Sequence, residues 1–129
     1  LEYNKSYVDI FGETHSIYNT QFPIFTEKAY QPIFFDKMFI LYGGNEFYRV
    51  FKELGGHTFF EELGLPDNYD KIESPYKQVD LIVDALSQTN TLKFNKTFVK
   101  SQEKIKENRK IILEHYKKIM GKVVEYISE

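Results

Sequence analysis

The sequence predicts an α/β domain of three layers, a short parallel sheet with flanking helices, followed by one long C-terminal helix. Three patterns carry that expectation. Residues 7–11 alternate toward Val8 and Ile10, as a half-buried strand does. Residues 37–42 form a short apolar run bounded by Asp36 and Gly43, the pattern of a strand buried on both faces. From Asn95 onward, Phe98, Ile105, Ile112, Tyr116, Ile119, Val123 and Ile127 recur at helical spacing.

The intervening elements follow from local chemistry. Thr26 is a candidate N-cap with Glu27 in the first turn, where a carboxylate suits the helix dipole. Pro32 lies past that turn and removes a backbone donor, so a kink or a later helix start is expected. Asn45 can cap a second helix whose Phe47, Val50, Phe51 and Leu54 share one face and whose stop is Gly55. Residues 57–60 read as a third short strand, and residues 64–75 as a loop rich in Gly, Pro, Asp and Asn. Ser74 or Pro75 then opens a helix carrying Val79, Ile82, Val83 and Leu86. Strand and helix thus alternate as in a parallel sheet with right-handed crossovers.

Within the last helix, residues 100–110 offer only Ile105 as an apolar anchor, so that stretch should be solvated or should span a gap between two surfaces. Gly121 weakens the final turns by about 1 kcal/mol relative to Ala. The expected division is a body over residues 1–92 and a basic amphipathic helix over residues 93–129, packing on that body or on a partner.

A chain of 129 residues fits one domain with a real core. The 12 Phe and 10 Tyr make that core aromatic-heavy, and buried Tyr hydroxyls will need partners. Absence of cysteine excludes disulfides, a thiolate zinc site and a cysteine nucleophile. No apolar run approaches the roughly 18 residues of a membrane helix, and no signal-peptide pattern opens the chain, so a cytoplasmic setting without membrane contact is expected. Because it begins at Leu1, the chain reads as a trimmed product or as part of something longer.

Charge is unevenly spread. Seven Lys and Arg face fourteen Asp and Glu through Leu92, whereas ten face five over residues 93–129. An acidic body is therefore followed by a basic tail. Such a tail can meet nucleic acid or an anionic membrane, or lie solvated against its own body; the acidic residues that interrupt it favour the last and disfavour nucleic acid.

One ordered set of residues suggests chemistry: Glu13-Thr14, Thr26-Glu27-Lys28, Pro32-Ile33, Phe39-Ile40-Leu41, Gly43-Gly44, Leu54-Gly55 and Thr58-Phe59. It resembles the donor-binding C-terminal domain of GT-B glycosyltransferases, including the fucosyltransferase-like branch and relatives common in phages and marine bacteria. The resemblance implies a reduced Rossmann-like half of a GT-B fold and a nucleotide-sugar or nucleoside-diphosphate ligand. It also implies that Glu27 contacts ribose and Lys28 the phosphates. The physics is compatible, since ribose hydroxyls want a carboxylate acceptor and a diphosphate wants cations and helix-end amides. The plainer alternative is a helix-dipole carboxylate beside a solvated lysine.

Gly43, Gly44 and Asn45 add a strand-to-helix turn whose backbone can approach a ligand closely, although the three-glycine dinucleotide fingerprint is absent and a tight turn with an Asn cap is the favoured reading. Glu13 would join them at the end of the first strand. The candidate site is therefore Glu13, Thr26, Glu27, Lys28, Gly43, Gly44 and Asn45, expected to converge at one sheet edge. His15, His57 and His115 fit ordinary structural roles, and the acidic loop of Asp67, Asp70 and Glu73 lacks a calcium-loop pattern. No cofactor or metal is implied. A GT-B active site lies between two domains, so catalysis would require an acceptor domain before Leu1 or a partner chain; otherwise a non-catalytic interaction module or homo-oligomer is the alternative.

Overall fold

The computed structural model describes residues 7–12 and 27–128, the side chains of 27–29 excepted. Its elements are β1 (Val8–Gly12), α1 (Glu27–Phe34), β2 (Met38–Tyr42), α2 (Asn45–Glu53), a 3-10 turn (Tyr69–Lys71), α3 (Pro75–Ser87), α4 (Thr91–Lys100) and α5 (Gln102–Ser128). Among the described residues the sheet has two strands, β1 and β2, paired in parallel with Val8 opposite Met38 and Gly12 opposite Tyr42. The fold is thus mixed α/β with a short parallel sheet and a long C-terminal helix, as expected.

α1 begins at Glu27 and contains Pro32, so the later start is not what the chain adopts. The helix ends instead by a hydrogen-bonded reversal. Lys37 N–H donates to Pro32 C=O at 2.9 Å and Asp36 N–H to Ile33 C=O at 3.3 Å. Asp36 takes φ 56°, a left-handed conformation that Asp tolerates better than most residues. This turn delivers Met38 directly to the sheet, where its N–H donates to Tyr7 C=O at 3.1 Å.

The third strand expected at residues 57–60 is absent, although Phe59 and Phe60 are buried. Its place on the far edge of β2 is partly taken by side chains. Residues alternate along a strand, so Leu41 turns its peptide away from β1. There its N–H donates to Tyr48 Oη at 2.9 Å, and its C=O accepts from Tyr69 Oη at 2.9 Å. Two tyrosine hydroxyls satisfy what a neighbouring strand would.

Gly44, not Asn45, is the N-cap of α2, and Asn45 is its first residue. The helix buries Phe47, Tyr48, Val50 and Phe51 and stops at Gly55, whose φ of 91° closes a second hydrogen-bonded reversal. Phe39 is the hub of the core, with ring centroids 5.7 Å from Phe51 and 5.9 Å from both Phe47 and Phe59. Ile40, one residue on and facing the other way, meets Val8, Ile10, Ile82 and Phe94 around a gap of only about 10 Å³.

α3 opens as expected, with Ser74 Oγ accepting from Lys77 N–H and Pro75 in the first position. Its buried stripe runs through Gln78 and Ile82; Val83, expected inside, is exposed. Asn90 caps α4 by accepting from Lys93 N–H at 2.9 Å.

α5 reverses the expected distribution of contacts. The stretch expected to be sparse belongs to its docked first half, anchored by Ile105, Asn108 and Ile112, and none of the described residues after Ile112 is buried. A polar residue escaped the apolar count: Asn108 is 2% exposed and hydrogen-bonds both peptide groups of His57. The helix continues through Gly121 to Ser128. Lys104 pairs with Glu62 and Arg109 with Asp36, so basic residues of α5 do meet the acidic body. No helix of the described residues is long and apolar enough to cross a membrane.

Candidate functional site

The candidate edge is built by β1, α1 and β2. The strands finish level, Gly12 opposite Tyr42, and Gly43 then turns with φ 77°. α1 enters β2 through the reversal at residues 35–37, beside the strand starts, and packs against both strands. Glu13 and Thr26 lie outside the described residues, as do the side chains of Glu27 and Lys28.

Gly43 and Asn45 are described, and each is engaged. Gly43 N–H donates to Gln78 Oε1 at 2.8 Å. Gln78 Nε2 in turn donates to Asn45 Oδ1 at 3.0 Å and to Tyr69 C=O at 3.2 Å, while Asn45 Nδ2 donates to Ile72 C=O at 3.0 Å. Gly44 is buried, and a Cβ there would lie 2.2 Å from Leu41 Cδ2. The turn is therefore tied to α3 and to the 3-10 turn, and its Gly43 amide is not directed at solvent. Gln78, fully buried, is the residue the sequence reading missed. Its signal was a polar residue four before Ile82 on the inward face of α3.

The same corner buries ionisable groups. Burial pushes the Tyr48 and Tyr69 phenols above the usual tyrosine range; for Tyr48 the hydrogen bond from Leu41 opposes that rise. Asp70, in the acidic loop, accepts from Lys52 Nζ at 2.7 Å and is nearly buried. At the opposite end of the sheet Lys37 is buried, which lowers its pKa, with the Asp9 carboxylate acting in the other direction. Among the described residues no group of three or more His, Cys, Asp or Glu is placed to hold a metal ion.

Among the described residues, two of the open hollows lie away from this edge. The larger, about 840 Å³, is bordered by Glu73, Asp80 and Asp84 against the single cation Lys77, a balance that repels anions. The second, about 360 Å³, lies between residues 61–64 and α4 and sets Lys93 and Lys96 against Glu61 and Glu62. Neither contains a candidate site residue. Compared with protein-family models, curated proteins and solved structures, the chain matches none of them.

Proposed function

We propose that this chain is a sugar-nucleotide-binding domain, a reduced Rossmann-like unit of three layers that holds the nucleoside diphosphate where its parallel strands finish. The observation that supports it is the β1–α1–β2 arrangement, parallel strands with Gly12 opposite Tyr42 and α1 packed against both. Glu27 accepts from the ribose hydroxyls. Lys28 and the first amides of α1 carry the diphosphate, and Glu13 and Thr26 border it. Gly43, Gly44 and Asn45, held by Gln78, form a rigid floor and do not donate to the phosphates. Glycosyl transfer is the reaction class, with an acceptor-binding domain or partner chain completing the site and Lys28 stabilising charge on the departing diphosphate.

Calorimetry with uridine and guanosine diphosphates tests this. A modest affinity is expected that weakens as salt is raised and falls about tenfold or more in Lys28→Ala, the order of one lost charge-assisted contact. Identical flat traces for wild type and variant would remove the proposal. A second reading, a non-catalytic interaction module, is supported by the uncovered apolar face of α5.

A further inference from the structure

The hollow of about 360 Å³ between residues 61–64, the end of α3 and α4 brings opposite charges to one small space. Its apolar wall is Leu63, Ala85 and Phe94, all half-buried, and the first two pack on the core. Lys93 and Lys96 border it from α4, three residues apart and so on one side of the helix. Glu61 and Glu62 border it from the loop, which is fixed by its own backbone: Gly64 N–H donates to Glu61 C=O at 3.1 Å, and Leu65 N–H to Phe60 C=O at 2.7 Å. Little of this charge is spent within the chain. Glu62 gives Oε1 to Lys104, whereas its Oε2 is buried and has no hydrogen-bond partner. Among the described residues no ion pair engages Lys93, Lys96 or Glu61. A buried carboxylate oxygen without a donor is costly, and a donor supplied by a ligand removes that cost.

We propose that this hollow binds a free α-amino acid with an apolar side chain. A simple anion drawn by Lys93 and Lys96 would meet Glu61 and Glu62, and a simple cation drawn by the glutamates would meet the lysines. A ligand bearing both charges escapes that conflict, and an α-amino acid carries both on one carbon at neutral pH. Its carboxylate accepts from Lys93 and Lys96, with the Gln88 amide and the Thr97 hydroxyl on the same walls. Its ammonium donates to Glu61 and to Glu62 Oε2, the acceptor that lacks a donor. Its side chain lies on Leu63, Ala85 and Phe94. The volume is at the small end of the about 300–1,000 Å³ usual for ligand pockets, which suits a single amino acid. The inference goes beyond nucleotide binding and does not depend on it.

Calorimetry of the whole chain with L-leucine and L-phenylalanine provides the test, alongside isocaproate and isoamylamine, which keep the leucine side chain and one charge each. At least one of the two amino acids should bind, and each single-charge analogue should bind about tenfold or more weakly than leucine, the order of one lost charge-assisted contact. Lys93→Ala with Lys96→Ala should weaken the amino acid by a similar factor, as should Glu61→Gln. All three side chains are exposed, so far-UV circular dichroism should be unchanged. Flat traces for both amino acids overturn the proposal, as does an analogue that binds as well as leucine; that comparison needs no variant and stands even if a substitution disturbs the fold. Amino-acid affinity equal to wild type in both well-folded variants would place the ligand elsewhere and overturn it as well.

Discussion

Asn108 holds the His57 peptide at both its hydrogen-bonding groups, across 51 residues of sequence: Oδ1 accepts from the His57 N–H at 2.7 Å and Nδ2 donates to its C=O at 2.9 Å. One amide side chain thus does for His57 what a strand partner would have done, and it does so from the docked face of α5. The clamp joins the segment that follows α2 to the helix whose neighbouring Ile105 and Ile112 enter the core.

Asn108→Leu should therefore be costly. It fills a comparable volume but leaves a partly buried N–H and C=O without partners, at about 1–3 kcal/mol for each group. Urea unfolding should show a midpoint lowered by a loss of about 2–4 kcal/mol, while Lys110→Ala, exposed two residues on, changes stability by less than about 0.5 kcal/mol. Equal midpoints for Asn108→Leu and wild type would show that water replaces the clamp.

A second expectation concerns alkaline pH. Burial holds the Tyr48 and Tyr69 protons above the usual tyrosine range, while the unfolded chain releases them near pH 10. Above that pH the unfolded state binds fewer protons, so stability present below it is lost as pH rises toward the folded values. Lys37, with its pKa lowered by burial, acts in the opposite sense below about pH 10.5, where the unfolded state keeps the proton longer. The two phenols should outweigh the one ammonium. Tyr48→Phe with Tyr69→Phe should lower stability at neutral pH and flatten its decline above pH 10, as followed by denaturant midpoints. The two single losses should not add, because both hydroxyls serve the Leu41 peptide.

The parts of the fold that depend on apolar periodicity were legible: both strands, the face of α2 and the long C-terminal helix. The errors share one cause. Phe59 and Phe60 are apolar and buried like strand residues, yet the peptide before them is satisfied by Asn108 and the edge they might have joined by Tyr48 and Tyr69. Asn45 has the right chemistry for a cap, but its amide is used between Ile72 and Gln78. Gln78 and Asn108 read as polar in any count of apolar residues. Buried amides that replace backbone partners carry no periodic signal, so they surface only when distant segments are brought together. Of the candidate site, Gly43 and Asn45 fall in a turn tied to Gln78, which no periodicity announced, while Glu13, Thr26 and the side chains of Glu27 and Lys28 lie outside the described residues.

Gln78 offers a test of that corner. Gln78→Leu removes acceptor and donors together, leaving the Gly43 N–H, Asn45 Oδ1 and Tyr69 C=O without this partner. A loss of about 2–4 kcal/mol is expected, at the upper end of single-residue effects because three groups share one side chain. Gln78→Glu keeps the acceptor for Gly43 and should protect that amide from hydrogen exchange better than Gln78→Leu does. Equal exchange at Gly43 in both variants would separate the turn from Gln78.

Two glycine substitutions should act with opposite sign. At Gly44 an added Cβ would fall 2.2 Å from Leu41 Cδ2 and 2.6 Å from its Cγ, and Leu41 is fully buried with its peptide held on the far edge of β2, so the side chain has little room to move. Gly44→Ala should cost about 1–3 kcal/mol, the usual penalty for overpacking. At Gly121 nothing lies within 4 Å of the added atom, and the residue is inside a continuous helix. Gly121→Ala should then gain about 1 kcal/mol of local helix propensity. Because none of the described residues after Ile112 is buried, that gain should appear as slower hydrogen exchange over the last turns of α5, with little change in the global unfolding midpoint. A global midpoint raised as much as the local protection would mean that these turns unfold together with the core, contrary to their exposure.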